Sequence, residues 1–346
     1  MRTVTVRACL FTAFSFAAAF LWPFKPDLIP IMPFTPVVWF SCIGMIALSV
    51  SRFYGVRHAV PAPEFLIFAY TLVLVLFINH LPYQVRALDT HLLFFDYNFG
   101  YSGAVIGRMY RESSFVGALL GLTYNSLMLA LTAIYLALPN TPVRRRFITA
   151  VILAGTVILP LYLVCPAAGP KYLFGDRYSW WIPDLSGPPT TVFIPIANAS
   201  PNGMNAIPSG HFAWALLAYW FARKYCSNGV RAVSGVYAVL TCFATLGTGE
   251  HYVVDLVLSV PFAAAIWNTV HRQWRFAGIG LGVVLAWLVA LREGWALAIR
   301  PLPAWLLIAS TIAFFALRVA DGECPADTVG NAPCVRPAPE LHNSYT

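Results

Sequence analysis

Charged side chains are scarce in this amino-acid sequence. Asp, Glu, Lys and Arg together make up 10% of the 346 residues, while hydrophobic residues make up 59%. A soluble domain typically carries about 25% charged residues, so the composition excludes an ordinary soluble protein. Apolar runs of about 20 residues, the length that crosses the hydrocarbon core as a helix, recur from end to end. They predict an all-α polytopic membrane protein.

Paired cysteines are also missing. The seven cysteines form no CxxC pair and have no regular spacing, which argues against a zinc site or a disulfide framework. The net charge of +8 does not indicate a nucleic-acid partner, because the cations form short clusters between apolar runs, where they set the membrane orientation. No metal and no other cofactor are expected.

The apolar runs predict about ten transmembrane helices. Their approximate bounds are 8–24, 31–50, 63–82, 114–138, 147–165, 210–224, 232–250, 252–270, 276–292 and 303–319. The first run resembles a signal peptide but is interpreted as an uncleaved anchor, because the orientation of the later helices requires it. Alternate connections hold most of the 22 Lys and Arg residues, which predicts that both termini are cytoplasmic.

The polar segments suggest three parts of the chain. These are N-terminal spans with an interfacial segment (1–113), a catalytic helical core with the C-terminal spans (114–319), and a disordered cytoplasmic tail (320–346). Segment 83–113 mixes aromatic and charged residues, so it is expected to lie along the outer membrane interface. It is either a plain amphipathic surface helix or a lid over a site. The tail is polar and has no apolar period.

Four residues at the start of one apolar run are unlike the rest of it. In Pro208-Ser209-Gly210-His211, Ser209 is a strong N-cap, and Gly210 allows close approach because it lacks a Cβ. A helix N-terminus presents unpaired N–H groups that suit a phosphate, and His211 lies in the first turn. Alone, such a short motif is more simply explained as a helix cap with a histidine at the membrane interface.

A second motif, GTGEHYVVDLV, contains His251 and Asp255. The i, i+4 spacing places both side chains on one helix face. A carboxylate there can hold one imidazole nitrogen and leave the other as nucleophile or base. A charged residue within an apolar run is a functional candidate, although a structural His–Asp pair between two helices explains the pattern equally well.

The predicted topology brings the two motifs together. His211 opens a span that runs inward, and the next span returns to the outer face, where His251 lies. The preceding loop supplies Lys171 and Arg177 on the same face, where they offset phosphate charge or contact lipid headgroups. The set suits metal-free phosphoryl transfer, in which one histidine attacks phosphorus and the other protonates the leaving oxygen.

Pro208-Ser209-Gly210-His211, followed by His251 and Asp255, resembles the type 2 phosphatidic acid phosphatase superfamily of helical membrane enzymes. The resemblance covers roughly 171–255. It implies that His251 is the nucleophile that forms a phosphohistidine, that Asp255 orients it and that His211 is the acid. Ser209 and Gly210 would bind phosphate oxygens, as would Lys171 and Arg177, which match the family's first motif imperfectly because five residues intervene and Tyr178 follows.

The third motif departs from the family pattern, because Ala244 and Thr245 occupy the usual Ser-Arg positions. The branch of inositol phosphorylceramide and sphingomyelin synthases, which moves a phospho-headgroup onto ceramide, also lacks that arginine. The PAAGPKY loop and LDTHLLFFDYNFG resemble the same inositolphosphotransferase-like branch. Arg108 and Arg111 are candidates for the missing cation, and Asp176 is a further candidate contact with the substrate.

We therefore expect a membrane lipid phosphotransferase that moves a phosphoryl or phospho-headgroup from a lipid phosphoester to an alcohol through a phosphohistidine. The alternative is a lipid phosphate phosphatase, with water as the acceptor. A lipid or small-molecule transporter is disfavoured because the sequence shows no internal repeat and no pair of broken helices at mid-membrane. The expected location is the bacterial inner membrane, with the site at the periplasmic face.

Overall fold

The computed structural model describes residues 88–175, residue 178 and residues 205–321. The predicted spans at 8–24, 31–50 and 63–82, the candidate site residues Asp176 and Arg177, and nearly all of the predicted tail lie outside these ranges. Every regular element within the described ranges is a helix, as the composition predicts.

The described residues form eleven α-helices and one short 3-10 helix. The α-helices are α1 Asp89–Tyr97, α2 Ser102–Glu112, α3 Ser114–Asn125, α4 Leu127–Ala137, α5 Thr141–Val164, α6 Pro170–Phe174, α7 Gly210–Tyr225, α8 Asn228–Gly247, α9 Val253–Val270, α10 Trp274–Arg292 and α11 Pro301–Asp321, and the 3-10 helix is Trp295–Ala298. Each predicted span from 147 onward corresponds to one of these helices.

Several helices have the length and apolarity of a membrane span. Among the described residues these are α5, α8, α9 and α10, and the bent pair of α3 and α4 adds a fifth if it is one span. The chain is therefore an integral membrane protein with an all-helical described region. About ten spans is more than the described residues contain, so that number stays a prediction.

The predicted span 114–138 is interrupted. Its two halves, α3 and α4, meet at an angle of 59° at Ser126. At the break, the Thr123 carbonyl accepts hydrogen bonds from the Ser126 hydroxyl at 3.2 Å and the Tyr237 hydroxyl at 2.9 Å. These side chains replace regular helical bonding. The single span predicted over 114–138 is therefore bent at this position.

Helix α9 is the centre of the bundle. It packs against α5, α7, α10 and α11, and 83% of its most apolar stretch is buried inside the protein. Ala263 and Ala264 are fully buried, and such small side chains let neighbouring helices approach closely. Because α9 begins directly after the His251 loop, the most enclosed helix of the described region carries the second motif.

Helix α1 differs from the surface helix expected for segment 83–113. Leu92 and Phe95 have no exposed surface, and Asp89 and Asp96 are buried with them. The helix packs against α6, α9, α10 and the 3-10 helix. It is buried because its carboxylates accept hydrogen bonds from backbone N–H groups of the bundle, which offsets the cost of desolvating them. Helix α2 keeps an exposed apolar face.

Candidate active site

The amino end of α7 is fixed against the central helix through Ser209. The Ser209 hydroxyl accepts a hydrogen bond from the Phe212 amide at 3.4 Å, which is the N-cap geometry expected from the sequence. The Ser209 amide donates to the Asp255 carbonyl at 3.3 Å, and the Ser259 hydroxyl donates to the Ser209 carbonyl at 3.0 Å. Successive turns of α9 therefore hold the first motif in place.

His251 lies in the turn between α8 and α9, and its nearest polar partner is a backbone oxygen. Nδ1 lies 2.7 Å from the Ala206 carbonyl. Because a carbonyl oxygen only accepts, Nδ1 carries the proton and Nε2 keeps its electron pair. The Ala206 amide donates in turn to the Ala167 carbonyl at 2.9 Å, which anchors this contact to the loop before Lys171.

Asp255, which the sequence predicts to orient His251, lies beside it. Its Oδ2 lies 3.4 Å from Nδ1 of His251 and accepts a shorter hydrogen bond, 2.7 Å, from the Tyr252 amide. Its Oδ1 is buried without a hydrogen-bond partner among the described residues. The carboxylate therefore caps α9 and supports His251 second to the Ala206 carbonyl.

Burial sets the charge of His251, which lies outside the membrane-spanning helices and is 5% exposed. Desolvation disfavours the imidazolium and lowers the pKa of His251 to about 4, against opposing contributions from the Glu250 charge and the hydrogen bond to Ala206. At neutral pH the imidazole is therefore uncharged, and Nε2 is available to attack an electrophile.

His211 lies beside His251, in the first turn of α7. Its ring stacks on that of Tyr124, with centroids 4.2 Å apart and planes at 14°. The two histidines are close enough for a charge on one to act on the other. A Cβ added to Gly210 would come within 3.4 Å of the Tyr162 hydroxyl, so the helix start leaves little room for a side chain there.

Lys171 is joined to the residue that precedes His251. Its Nζ lies 3.2 Å from Oε1 of Glu250, and the Tyr172 hydroxyl donates to the other carboxylate oxygen at 2.8 Å. The Lys171 amide also donates to the Gly249 carbonyl at 2.8 Å. The loop before Lys171 and the loop before His251 are therefore paired along their backbones, and the Lys171 ammonium lies at the candidate site.

Gly169 makes this pairing possible. Its φ of +102° is a conformation that side chains rarely adopt, and an added Cβ would overlap the carbonyl of Glu250. The close approach of the two loops depends on the missing side chain.

Two carboxylates of α1, which sequence reasoning did not include among the site residues, tie the site together. Asp89 accepts hydrogen bonds from the amides of Ala168 and Gly169 and from the Tyr252 hydroxyl, at 2.8 to 3.1 Å. Burial raises the pKa of Asp89, and these hydrogen bonds lower it. Charged residues within an otherwise apolar stretch are the signal that points to such positions.

The other carboxylate, Asp96, caps the central helix. It accepts hydrogen bonds from the amides of Val253 at 2.6 Å and Val254 at 3.3 Å, which are the first N–H groups of α9 and have no partner within the helix. Burial raises the pKa of Asp96, the bond from Val253 lowers it, and the nearby Asp255 raises it further.

The positions of the missing arginine contribute no cation. Ala244 and Thr245 are fully buried, and the Thr245 hydroxyl donates to the Cys242 carbonyl of its own helix at 3.0 Å. Helix α2 packs along α8, and its Arg111 guanidinium lies 6.0 Å from the ring centre of Tyr178. Arg108 is on the same helix and is exposed.

Tyr178 connects this part of the structure to the end of α8. Its hydroxyl lies 2.7 Å from the Leu246 carbonyl and 3.1 Å from that of Gly103. The structure thus brings together His211, His251, Asp255, Ser209, Gly210 and Lys171, places Arg111 near Tyr178, and does not describe Asp176 and Arg177.

Comparison with known proteins identifies one family. The family model described as PAP2 superfamily matches residues 91–269, a range that begins in α1, ends in α9 and includes both histidines. No curated protein and no solved structure matches the chain.

Proposed function

Because the chain belongs to the PAP2 superfamily, whose model matches more than half of it, we propose that it is a membrane lipid phosphotransferase with His251 as the nucleophile. Membership of the superfamily supports a phosphatase-type enzyme. The specific proposal rests on one observation, the 2.7 Å contact between Nδ1 of His251 and the Ala206 carbonyl. That contact leaves the electron pair on Nε2, where a nucleophile needs it.

The first step makes a phosphohistidine. Nε2 of His251 attacks phosphorus, the P–N bond forms, and the bond from phosphorus to the leaving oxygen breaks. His211 gives its proton to that oxygen as general acid. In the second step the hydroxyl of an alcohol attacks phosphorus, the P–N bond breaks, and His211 takes the hydroxyl proton. Asp255 supports the charge that His251 acquires while the intermediate exists.

Phosphate oxygens bind at the amino end of α7, near Ser209 and Gly210, where backbone N–H groups and the helix dipole favour an anion. Lys171 adds a positive charge, which Glu250 partly offsets in the structure without substrate. Its side chain is 42% exposed, so its ammonium can turn towards a ligand. Arg177, Asp176, Arg108 and Arg111 are proposed as further contacts on the basis of the sequence.

An alcohol acceptor is favoured over water by the composition of the third motif. Ala244 and Thr245 replace the arginine of the phosphatases, as in the inositolphosphotransferase-like branch, whose members transfer a headgroup to a lipid hydroxyl. We propose the same metal-free reaction here, at the periplasmic face of a bacterial inner membrane. The proposal keeps about ten spans and both termini in the cytoplasm.

A panel of labelled phospholipids tests this function. The purified protein is incubated in EDTA with phosphatidic acid, phosphatidylinositol or phosphatidylglycerol, each with and without ceramide or another long-chain alcohol. The expected product is a headgroup or phosphoryl group on the added alcohol, and the His251→Ala variant, folded in detergent, should form none. Free phosphate in place of a transferred group would identify a hydrolase.

Three other results contradict the proposal. Activity that disappears in EDTA and returns with a divalent metal rules out a metal-free mechanism. Turnover by the His251→Ala variant rules out the nucleophile. If no phospholipid yields a product, the enzyme assignment itself is wrong, and transport assays on the same lipids become the next experiment.

A further inference from the structure

Tyr124 is the aromatic residue against which His211 is packed. It lies in the last turn of α3, two residues before the Ser126 break. Its ring is nearly parallel to the imidazole, with centroids 4.2 Å apart and planes at 14°. It is also in electrostatic range of Glu250 and Tyr172, so it lies within the site described above.

The end of α3 is fastened by polar contacts. The Tyr237 hydroxyl of α8 donates to the Thr123 carbonyl at 2.9 Å, and the Asn125 side-chain amide donates to the Gly121 carbonyl at 2.8 Å. The Ser126 amide donates to the Leu122 carbonyl at 2.9 Å. Within a membrane, backbone groups released by a break must find such partners. These bonds hold the residue between them, Tyr124, in one position.

We propose that Tyr124 is a positioning residue that holds the His211 ring in the orientation of a general acid. The inference rests on the proposed function, in which His211 protonates the leaving oxygen. A stacked ring restricts the plane of the imidazole.

This role has a consequence that depends on the substrate. An alkoxide leaves only with a proton, whereas a para-nitrophenolate leaves without one. A residue that acts through the acid therefore affects alkyl phosphoesters and spares aryl ones. A residue that merely supports the fold, or that positions the nucleophile, affects both classes alike.

The test compares Tyr124→Leu with Tyr124→Phe on matched substrates. The alkyl substrates are dioctanoyl phosphatidic acid and dioctanoyl phosphatidylinositol, and the aryl substrates are para-nitrophenyl phosphate and its octyl ester. General acid catalysis typically contributes about 10²- to 10⁴-fold. His211 also acts as the base of the second step, so the rates are taken from single turnovers that report release of the leaving group. We expect Tyr124→Leu to lower this first-step rate on the alkyl substrates at least about tenfold more than on the aryl ones. Tyr124→Phe, which keeps the ring, should stay within about twofold of wild type on both.

Tyr219→Leu is the matched control. Tyr219 is on the same helix as His211, two turns further on, and packs on Gly235. Its substitution should leave the alkyl-to-aryl ratio unchanged. An unchanged ratio in Tyr124→Leu, or a loss in Tyr124→Phe as large as in Tyr124→Leu, would overturn the proposal.

The His211→Ala variant separates this proposal from the proposed function. Its loss of first-step rate, measured as release of the leaving group in a single turnover, should be confined largely to the alkyl substrates. If His211→Ala lowers the rate on alkyl and aryl substrates equally, the acid assignment is wrong, and the positioning role of Tyr124 is wrong with it. If His211→Ala shows the selective loss and Tyr124→Leu does not, the acid is right and the positioning role alone fails.

Discussion

Glu250 lowers the positive charge of the candidate site. Its carboxylate pairs with Lys171 at 3.2 Å. The arginine that the family pattern places six residues before His251 is absent, because position 245 is threonine. The described part of the site therefore carries less positive charge than the family pattern implies. A phosphate with a single charge suits such a site better than a dianion.

The pH dependence of turnover is the first prediction at this scale. In the proposed mechanism His251 reacts in its neutral form, and burial lowers its pKa to about 4. Activity should therefore persist as the pH falls below the ordinary histidine range and disappear near pH 4. The measurement is kcat/KM from pH 3.5 to 8, roughly, on a phosphodiester, whose own charge does not change over that range.

Glu250→Gln provides the internal check on this assignment. The Glu250 charge raises the pKa of His251, so its removal should move the acid limb to lower pH. A limb near the ordinary value for histidine, or one that Glu250→Gln leaves in place, contradicts the assignment of that limb to His251.

The sequence predicted the residues whose chemistry is visible in their own side chains. His211 and His251 lie within electrostatic range of each other, because a helical hairpin returns the chain to the same end of the bundle. Glu250, Asp96 and Tyr124 were not identified as site residues. Their roles depend on contacts with segments distant in sequence, and neither spacing nor hydropathy contains those contacts.

At the scale of helices, α1 joins two parts of the site through the hydrogen bonds of its carboxylates. Asp89 holds the loop before Lys171, and Asp96 holds the first N–H groups of α9. The two carboxylates thus connect the loop before Lys171 to the start of the helix that follows His251. The sequence predicted that segment 83–113 lies along the membrane interface, as a surface helix or as a lid, because it mixes aromatic and charged residues. In the structure α1 is buried, because each of its two carboxylates accepts hydrogen bonds from backbone amides.

Asp96→Ala tests the contribution of the Asp96 hydrogen bonds to the site. Removal of the carboxylate leaves the Val253 and Val254 amides without their acceptor, which typically costs about 1–3 kcal/mol. We expect a lower Tm in detergent and, at temperatures where the variant is folded, a kcat reduced at least about tenfold, because small displacements of a reacting group are costly. Differential scanning fluorimetry and steady-state assays measure the two effects.

Asn140→Ala is the matched control for this experiment. Asn140 caps α5 by accepting a hydrogen bond from Val143 at 3.0 Å, at the end of α5 furthest from the site. Its loss should cost about 1 kcal/mol and leave kcat within about twofold of wild type. A wild-type kcat in Asp96→Ala would restrict Asp96 to a role in stability.

The interrupted span shows what hydropathy misses at the same scale. Residues 114–138 form a continuous apolar run, so the sequence predicts one straight helix. At the break near Ser126, a hydrogen bond comes from the Tyr237 hydroxyl, which is more than a hundred residues away in sequence. Ser126 and Asn125 add short-range hydrogen bonds at the same place. Serine and asparagine in an apolar run are weak signals alone.

At the scale of the whole molecule, the positions of the site and the loops imply an orientation. The histidines, Lys171 and the caps of α7 and α9 all lie at one end of these helices, and the basic connection between α7 and α8 lies at the other. The positive-inside rule then predicts that the site faces outward. The sequence alone supports the same prediction, because it depends on the alternation of spans and cations.

Cysteine labelling in intact bacterial cells checks the orientation. In a background without the native cysteines, Glu293→Cys, at the exposed end of α10, should react with a membrane-impermeant maleimide. Asn228→Cys, at the opposite end of the bundle and also exposed, should react after permeabilisation alone. The reverse pattern would invert the topology and place the site at the cytoplasmic face.

The oxygen that fixes the tautomer of His251 belongs to the main chain of Ala206. Every amino acid at position 206 has the same backbone carbonyl. Substitutions there therefore test the space around a 1% exposed side chain and leave the contact with His251 unchanged. The shortest hydrogen bond of His251 therefore cannot be removed by mutation. Exchange of the following amide for an ester, which weakens the carbonyl as an acceptor, addresses it by chemistry.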